Sequence, residues 1–542
     1  MSELARTVGG PVSGAVVVTL PDPLPVSTTQ LPAALVGGRL STDGSGVTQP
    51  VSGNVSATIA GPLTAFGELQ AVGLYPMAQG AFVYGINTDT WRSVSYGTGA
   101  SVSVASGIAS AGCGTSATGY SVLQSRRAIT YHPGQGSLVE LTAIFAAPVT
   151  NNRQWAGGGN AESGYYFGYN GGSAFGIVHV SNGTRAIQTL TITTKSSTAE
   201  NVTVTLDGTP VSVAVTNGAS TITTAWEIAQ GNYANAGQGW DAQAIDSVVY
   251  FVARQCNAAV GTVSLTASTA VGVGAVVTAA VANAVSFTPQ SAWNVDTLDG
   301  SGNAGNPSGM LLNPSLGNVY RIAYQYLGFG NAFFYVESQT TGLPILVNVI
   351  RNTNTRTAVV LRQPSASVRW VSQNVGSTTS VAIQGASGAT FLQGTDAPTN
   401  PRFSTSASRS ISSGTLTPVL SIMLMRSFQN RASRVQVTLT ILSFAGDGSR
   451  PTVFTLYRDP VLAGTPNFIP VNANVSSVAV DTASTGVSGG VQVFASNVGP
   501  NGSANVDLAQ TGIAMLPGEI ITVAAQSANA NNTLVTLAWS ED

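Results

Sequence analysis

The sequence has very little charge. Asp, Glu, Lys and Arg make up 8% of its 542 residues, against about 25% in typical soluble domains. Lys195 is the one lysine, so the basic residues are almost all arginine, and the net charge is −2. No basic patch is visible along the chain, which argues against nucleic-acid binding. Such weak electrostatic repulsion between copies favours a protein embedded in an assembly over a free cytosolic monomer.

Cysteine and histidine are also scarce. Cys113 and Cys256 could form at most one disulfide and lack metal-ligand spacing, so we expect two buried thiols. His132 and His179 are the two histidines, which leaves few possible bases for a Ser-His-Asp arrangement. Both lie beside strand segments, where packing or a turn explains them.

Targeting and membrane segments are lacking as well. Residues 1–6 do not have the basic and apolar regions of a secretory signal, so we expect synthesis in the cytoplasm of the host cell. The longest weakly polar run, 271–285, is interrupted by Thr278 and Asn283 and falls short of the roughly 18 apolar residues of a membrane span. The sequence therefore predicts no transmembrane helix.

What the chain does have is typical of β-structure. It contains 61 glycines and 43% hydrophobic residues, which argues against disorder and favours many short strands joined by tight turns. The clearest element is a β-hairpin at 317–337, where Tyr320, Ile322, Tyr324 and Tyr326 alternate with more polar residues. The length suggests about three to four domains.

Residues 1–65 are rich in Pro, Gly, Ser and Thr. The motif at 11–16 recurs at 50–55, and the prolines exclude helix while allowing brief strands such as 15–20. Since such a segment has no core, we interpret it as an extended arm or stalk that lies on another subunit; a floppy terminus is the alternative.

Residues 66–123 show short strands and Gly-rich turns, which predicts a small β-domain or linker. Trp91 and Arg92 could form an exposed stacking pair for a sugar ring, but a tryptophan in such a segment is more often a core anchor. Residues 124–394 predict a β-sandwich that contains the central hairpin. This sandwich is interrupted at 185–287 by an inserted α+β module with a hairpin turn at Asp207-Gly208 and an amphipathic helix at 220–230.

Residues 403–542 predict a second antiparallel sandwich, because short strands with polar turns follow one another at regular spacing. The fold class predicted from the sequence is therefore mainly β: several antiparallel, jelly-roll-like β-sandwiches, with one small α+β insertion and an extended N-terminal arm.

Several segments resemble pieces of virion appendage and structural proteins of tailed phages and large algal DNA viruses. These segments are the Pro-Val-Ser-Gly repeats, residues 188–208 of the module, residues 313–337 around the hairpin, and residues 481–490. The resemblance implies a fibre, spike, adaptor or capsid-decoration protein of the virion, and three chains closed about an axis. It carries no catalytic residues across.

An enzyme is the competing hypothesis. A glycan-cleaving tailspike uses two carboxylates about 5–9.5 Å apart, and the candidates are Glu162, Asp296, Asp299 and Glu337, none of which sits in a distinctive motif. Asp296, Asp299 and Asn303 are close enough in sequence to share a calcium ion, but their spacing is less regular than that of a calcium loop. We therefore expect no enzymatic activity, no catalytic residues, no metal and no cofactor.

The sequence and the resemblance together predict a non-enzymatic virion structural protein. The expected type is a fibre, spike or tail-appendage component, anchored to other virion proteins by its N-terminal arm and in possible contact with a host-surface glycan or receptor. The alternatives are a capsid decoration or cement protein and a glycan-cleaving tailspike. A homo-oligomer is expected, with a trimer favoured.

Overall fold

The fold was obtained as a computed structural model, which describes residues 35–36, 39–40, 73–129, 131–394 and 401–541. Strands β1 (Leu35–Val36) and β2 (Arg39–Leu40) pair antiparallel. The rest of the arm predicted at 1–65, including the strand at 15–20, lies outside the described residues. The residues from Leu63 to Asp542 belong to one compact unit.

The described part of the chain is mainly β, as the sequence predicts, and its named strands pair antiparallel throughout. After β1 and β2, nine further described strands precede the inserted module: β3 (Leu74–Ala81), β4 (Trp91–Tyr96), β5 (Ser101–Ala105), β6 (Ile108–Gly112), β7 (Tyr120–Ser125), β8 (Gly136–Phe145), β9 (Asn152–Gly159), β10 (Gly164–Asn170) and β11 (Phe175–Ser181).

The module contributes seven strands and a helix: β12 (Ile187–Thr194), β13 (Glu200–Leu206), β14 (Thr209–Val215), α1 (Thr221–Ala229), β15 (Trp240–Ile245), β16 (Val248–Ala253), β17 (Ser264–Thr266) and β18 (Val271–Thr278). The chain then returns to the first sandwich through β19 (Ala284–Pro289), a 3₁₀ turn at Gln290–Ala292, β20 (Asn318–Tyr324), β21 (Ala332–Glu337), β22 (Pro344–Ile350), β23 (Ser367–Asn374), β24 (Ala382–Gly385) and β25 (Ser387–Gln393).

The first sandwich has jelly-roll topology. Its eight main strands, lettered B to I in chain order, are β6, β7, β8, β9, β10, β20, β23 and the broken strand β24/β25. One sheet contains β6, β24/β25, β8 and β20, the order B-I-D-G, and the other contains β7, β23, β9 and β10, the order C-H-E-F. This is the arrangement of two sheets that defines a jelly roll.

Additional strands widen both sheets. Strands β5, β21, β22 and β3 extend the first sheet, and β4, β11 and β19 extend the second. Residues 66–123 were expected to form a small domain or linker, but their strands pair with those of the sandwich. The reason is that β6 pairs with β24, a partner far along the chain that local patterns do not reveal.

The core of this jelly roll is aromatic. Tyr320, Ile322 and Tyr324 of the hairpin are buried, and Tyr320 lies 4.8 Å from Phe167 between ring centroids. The alternation seen in the sequence therefore identified the inner face of a strand correctly. Tyr326, by contrast, lies beyond the end of β20, where its hydroxyl donates a hydrogen bond to the carbonyl of Leu361.

The second jelly roll follows directly. Its strands are β26 (Arg402–Ile411), β27 (Thr417–Leu424), β28 (Ser427–Phe428), β29 (Arg431–Ala432), β30 (Val437–Gly446), β31 (Thr452–Arg458), β32 (Val461–Ala463), β33 (Ile469–Pro470), β34 (Val478–Asp481), β35 (Gly486–Ser488), β36 (Val491–Val498), β37 (Gly502–Asp507), β38 (Ala514–Met515), β39 (Ile520–Ser527) and β40 (Asn531–Glu541), with a 3₁₀ turn at Ala509–Thr511.

The same lettering describes this sandwich. One sheet runs β26, β40, β30 and β37, the order B-I-D-G, and the other runs β27, β39, β31 and β36, the order C-H-E-F. Its core includes Phe444, Phe454 and Trp539. The antiparallel sandwich predicted for the C-terminal part is thus a second jelly roll, so the described chain contains two of them in tandem.

The inserted module interrupts the F–G connection of the first jelly roll. Thr184 and Val281, at its two ends, exchange backbone hydrogen bonds of 2.9 and 3.0 Å. Helix α1 begins after Ser220, whose side chain accepts a hydrogen bond from the backbone of Thr223, as an N-cap should. Residues 271–278 of the weakly polar run form the edge strand β18. One boundary differs from the sequence interpretation: β19 was assigned in part to the module at 185–287, but it belongs to the jelly-roll sheet.

No helix in the described ranges is long and apolar enough to cross a membrane. Cys113 and Cys256 are free and buried, as expected from the sequence.

Candidate functional site

The four candidate carboxylates occupy three different surroundings. Glu162 pairs with arginines, Asp296 and Asp299 accept hydrogen bonds within their own loop, and Glu337 ends β21 in an exposed position. No two of them share a hydrogen-bond partner among the described residues.

The loop of the calcium alternative is held together by its own groups. Asp296 accepts hydrogen bonds from the backbone of Leu298 and Ser308 and from Asn306 Nδ2, and Asn303 accepts from the backbone of Gly305. Nowhere in the described ranges do three or more His, Cys, Asp or Glu side chains gather in a way that could hold a metal ion.

His179 lies on β11 inside the sandwich. Its Nε2 is 2.9 Å from the carbonyl oxygen of Val360, and its ring stacks on Tyr165 with 4.8 Å between centroids. Burial lowers the pKa of His179 to about 4, although the hydrogen bond to Val360 partly opposes this. The ring is therefore neutral at pH 7 and has a packing role. His132 lies in the connection between β7 and β8.

The lowered pKa predicts an acid-sensitive fold. The pKa of His179 falls from 6.5 to about 4 on folding, so the unfolded chain binds a proton at this residue more readily than the folded one. The folded state is therefore fully stable with respect to this group above pH 6.5, and it loses up to about 3 kcal/mol of unfolding free energy as the pH falls towards 4. His179→Gln keeps a hydrogen-bond donor without titrating in this range. Urea unfolding at several pH values should give a shallower pH dependence for the variant than for the wild type, and equal slopes would contradict the assignment.

Trp91 is a core anchor and not a sugar-stacking surface. It is 1% exposed and lies 4.9 Å from Phe82 and 5.6 Å from Trp370 between ring centroids. Because side chains alternate along a strand, Arg92 points to the opposite, outer face of the sheet. There it lines a cavity at the junction of both jelly rolls and the module.

This cavity has a volume of about 180 Å³. Across the sheet, Arg92 is in register with Gln124 of β7, which is in turn in register with Arg369 of β23. The module and the second jelly roll supply the other walls. We call the seven arginines that line the cavity the arginine junction: Arg92, Arg126, Arg185, Arg254, Arg369, Arg426 and Arg434.

Three carboxylates in this junction form ion pairs that join the first jelly roll, the module and the second jelly roll. Glu162 of the first jelly roll pairs with Arg185 at the start of the module and with Arg434 of the second jelly roll. Asp241 of the module pairs with Arg254 at 2.9 Å and lies 3.5 Å from Arg426 of the second jelly roll.

The third pair joins Arg126 of the first jelly roll to Glu519 of the second. Burial alone would raise the pKa of Asp241, but Arg426, Arg254 and Arg92 together hold it well below its ordinary value. Asp241 is therefore ionised throughout the physiological pH range.

Apolar contacts reinforce the junction. Trp226 of helix α1 stacks on Phe468 of the second jelly roll with 5.7 Å between centroids, and Ile245 packs with Met423 and Met425. Strand β27 is consequently buried on both faces, one in its own core and one under the module. The second jelly roll is thus fastened to the module by packing as well as by charge.

A larger cleft of about 660 Å³ adjoins the arginine junction on the outer face of the same sheet. Trp155 and Tyr166 stack there with 5.6 Å between centroids. Six buried polar atoms of its lining residues have no hydrogen-bond partner in the described part of the chain: Tyr96 Oη, Arg153 Nε, Trp155 Nε1, Gln238 Nε2, Asn283 Oδ1 and Arg369 Nε. The cleft therefore combines aromatic rings with free donors and acceptors.

The sequence interpretation missed the arginine junction. The sequence shows no basic patch for nucleic acid, and no motif in it indicates that the fold gathers arginines from positions 92 to 434 of the chain around one cavity. The one available signal was the near absence of lysine, since arginine is the residue better suited to buried ion pairs.

Comparison with known proteins does not identify a family for this chain. No family model and no curated protein matches the chain. Among solved structures, a chain from "The Triple Jelly Roll Fold and Turret Assembly in an Archaeal Virus" is 9% identical over 73% of this chain and 97% of its own, with a TM-score of 0.15. A chain from "Life in the extremes: atomic structure of Sulfolobus Turreted Icosahedral Virus" is 9% identical over the same shares, with a TM-score of 0.14. Scores this low carry no argument about fold or function.

Proposed function

We propose that this chain is a non-enzymatic structural protein of a virion. The observation that carries the proposal is the tandem of two jelly rolls, each with the strand order B-I-D-G and C-H-E-F. Jelly rolls recur in viral capsid and lectin domains. The low charge of the chain fits a protein whose surface largely faces other proteins.

The finer assignment is a fibre, spike or tail-appendage component anchored by residues 1–65. The cleft beside the arginine junction supports a possible contact with a host-surface glycan, because aromatic rings with nearby donors and acceptors suit sugar rings. A decoration or cement protein is the alternative. A glycan-cleaving tailspike has less support, because Glu162 is held in ion pairs with two arginines and none of the four candidate carboxylates sits in a distinctive motif.

The location and copy number of the chain in purified particles test this function. Immunogold labelling at a tail or vertex, in a few copies, supports an appendage, whereas labelling over the whole shell supports decoration. Particles that lack the chain altogether would overturn the virion assignment.

A homotrimer is part of the proposal, with β18 at the interface. This strand is at the edge of its sheet, and Val271, Val273 and Val276 are each at least 50% exposed. An exposed apolar edge strand is prone to associate with another chain. A second copy of this chain is the proposed occupant, since chains with little charge need protein contacts to cover their exterior.

Val273→Lys should therefore convert the trimer to a monomer, because it places a charge in the contact. Native mass spectrometry at micromolar concentration measures the outcome. Val453→Lys is the matched control, since Val453 is 42% exposed but lies on β31, which has a neighbour on both sides. A monomeric wild type would refute the oligomer, and a trimer that survives Val273→Lys would place the interface elsewhere.

A further inference from the structure

The arginine junction contains more positive than negative charge. Its seven arginines face three carboxylates, Glu162, Asp241 and Glu519, which leaves an excess of four positive charges. A chain with 8% charged residues thus concentrates a large share of its cations around one cavity. The excess calls for a physical explanation, because like charges in a partly dehydrated space repel one another.

Two of the arginines carry the imbalance most directly. Arg126, Arg185, Arg254, Arg426 and Arg434 each pair with a carboxylate. Within the described ranges, Arg92 and Arg369 have no such partner. These two side chains stand in register on either side of Gln124, so they present their charges to the same cavity.

Arg369 is the deeper of the two. It is 4% exposed, and its Nη atoms lie 3.0 Å from the hydroxyl of Tyr120 and 3.4 Å from that of Tyr166, both neutral groups. Its Nε has no hydrogen-bond partner among the described residues, and the same is true of the buried Nε atoms of Arg426 and Arg434. The wall of the cavity therefore offers several unused N–H donors.

Neutralisation by loss of a proton is not available to these groups. Burial lowers the pKa of Arg92, and the neighbouring Arg426 and Arg126 lower it further, while Asp241 and Glu519 partly oppose this shift from a greater distance than an ion pair. A guanidinium nevertheless keeps its proton in proteins. A buried cation without a partner is strongly unfavourable, so the remaining way to balance the charge is an anion.

We propose that the cavity binds a small tetrahedral oxyanion, phosphate or sulfate, between Arg92 and Arg369. Planar guanidinium groups donate paired hydrogen bonds to such oxygens, and these charge-assisted bonds are among the stronger ones in proteins. The volume of about 180 Å³ far exceeds the roughly 10–15 Å³ required for one water, so an anion and several waters fit. The bound anion would act as a structural ion that joins both jelly rolls and the module.

The test uses the full-length chain in chloride buffer at constant ionic strength. Phosphate and sulfate are titrated separately by calorimetry, and thermal unfolding is followed in each salt. We expect saturable binding with one anion per chain and an unfolding temperature that rises with the logarithm of anion concentration. Whichever of the two anions binds more tightly is the preferred ligand.

Arg92→Gln and Arg369→Gln should each weaken this binding by about tenfold or more, the effect of losing a charged hydrogen-bond donor. Arg321→Gln is the matched control, because Arg321 belongs to a partly exposed pair with Glu140 on the opposite sheet. That variant should bind the anion as the wild type does.

Arg92→Gln also separates anion binding from a purely structural role. In chloride it removes a charge that has no direct ion-pair partner in the described part of the chain, and the variant should unfold at the wild-type temperature or above. In phosphate or sulfate it should unfold below the wild type. Lower stability in every salt, no saturable binding of either anion, or equal affinity in Arg92→Gln and Arg321→Gln would each overturn the proposal.

Discussion

Removal of residues 1–65 should leave the remaining chain folded and abolish its incorporation into particles. The segment is rich in proline, glycine, serine and threonine and is expected to have no core of its own, so we expect it to become ordered by pairing with other subunits. The compact unit begins at Leu63, and the first strand of the sandwich at Leu74, so the truncation removes no strand of either jelly roll. The β-sheet signal in circular dichroism should be retained, while the amount of the truncated chain in purified particles should fall below detection.

A second variant shows whether the arm acts by its sequence or by its length. Shuffling the two related motifs at 11–16 and 50–55 keeps the composition and removes the repeat. If the arm binds through these motifs, the shuffled chain should be incorporated poorly. Full occupancy of the truncated chain in particles would refute anchoring by the arm altogether.

Replacing Glu162 by glutamine should cost about 3–5 kcal/mol of unfolding free energy, the range found when one partner of a buried ion pair is removed. The side chain of Glu162 is 3% exposed, and it is the carboxylate shared by Arg185 and Arg434. Glutamine preserves the shape but leaves two more arginines unbalanced. Equilibrium unfolding in urea measures the loss.

Glu140→Gln is the control for this variant. Glu140 pairs with Arg321 at 2.8 Å, but the two side chains are 29% and 33% exposed, so the expected loss is below about 1 kcal/mol. Adding Arg434→Gln to Glu162→Gln should recover part of the lost stability, since it removes one of the unpaired charges. Equal effects of Glu162→Gln and Glu140→Gln would show that the junction is not important for stability.

The fold class could be predicted because β-structure leaves local signs. The alternation of Tyr320, Ile322 and Tyr324 identified a half-buried strand, and the i, i+3, i+4 spacing after Ser220 identified the helix. Sheet order could not be predicted in the same way. The pairing of β6 with β24 depends on the closure of the whole sandwich, and no short window of sequence contains it.

The candidate site was harder to predict for a related reason. Glu162 was singled out as an acid, but its role depends on Arg434, which lies on the other jelly roll. Arg92 was noticed only as a neighbour of Trp91. A cluster whose residues come from both jelly rolls and the module forms no motif with a fixed spacing in the sequence. The near absence of lysine was therefore the one sequence feature that pointed to it.

The strands that close the first jelly roll are far apart along the chain, and this separation has a consequence for synthesis. Strand β24/β25 inserts between β6 and β8, yet it leaves the ribosome after the entire module. At roughly 5–20 residues per second, the two open edges wait on the order of ten seconds or more for their partner. The module, whose strands pair only with one another between residues 187 and 278, can fold during that interval. Unpaired strand edges on a nascent chain are prone to aggregation. During the folding of the module, the edges of β6 and β8 therefore stay accessible to chaperones and to neighbouring nascent chains.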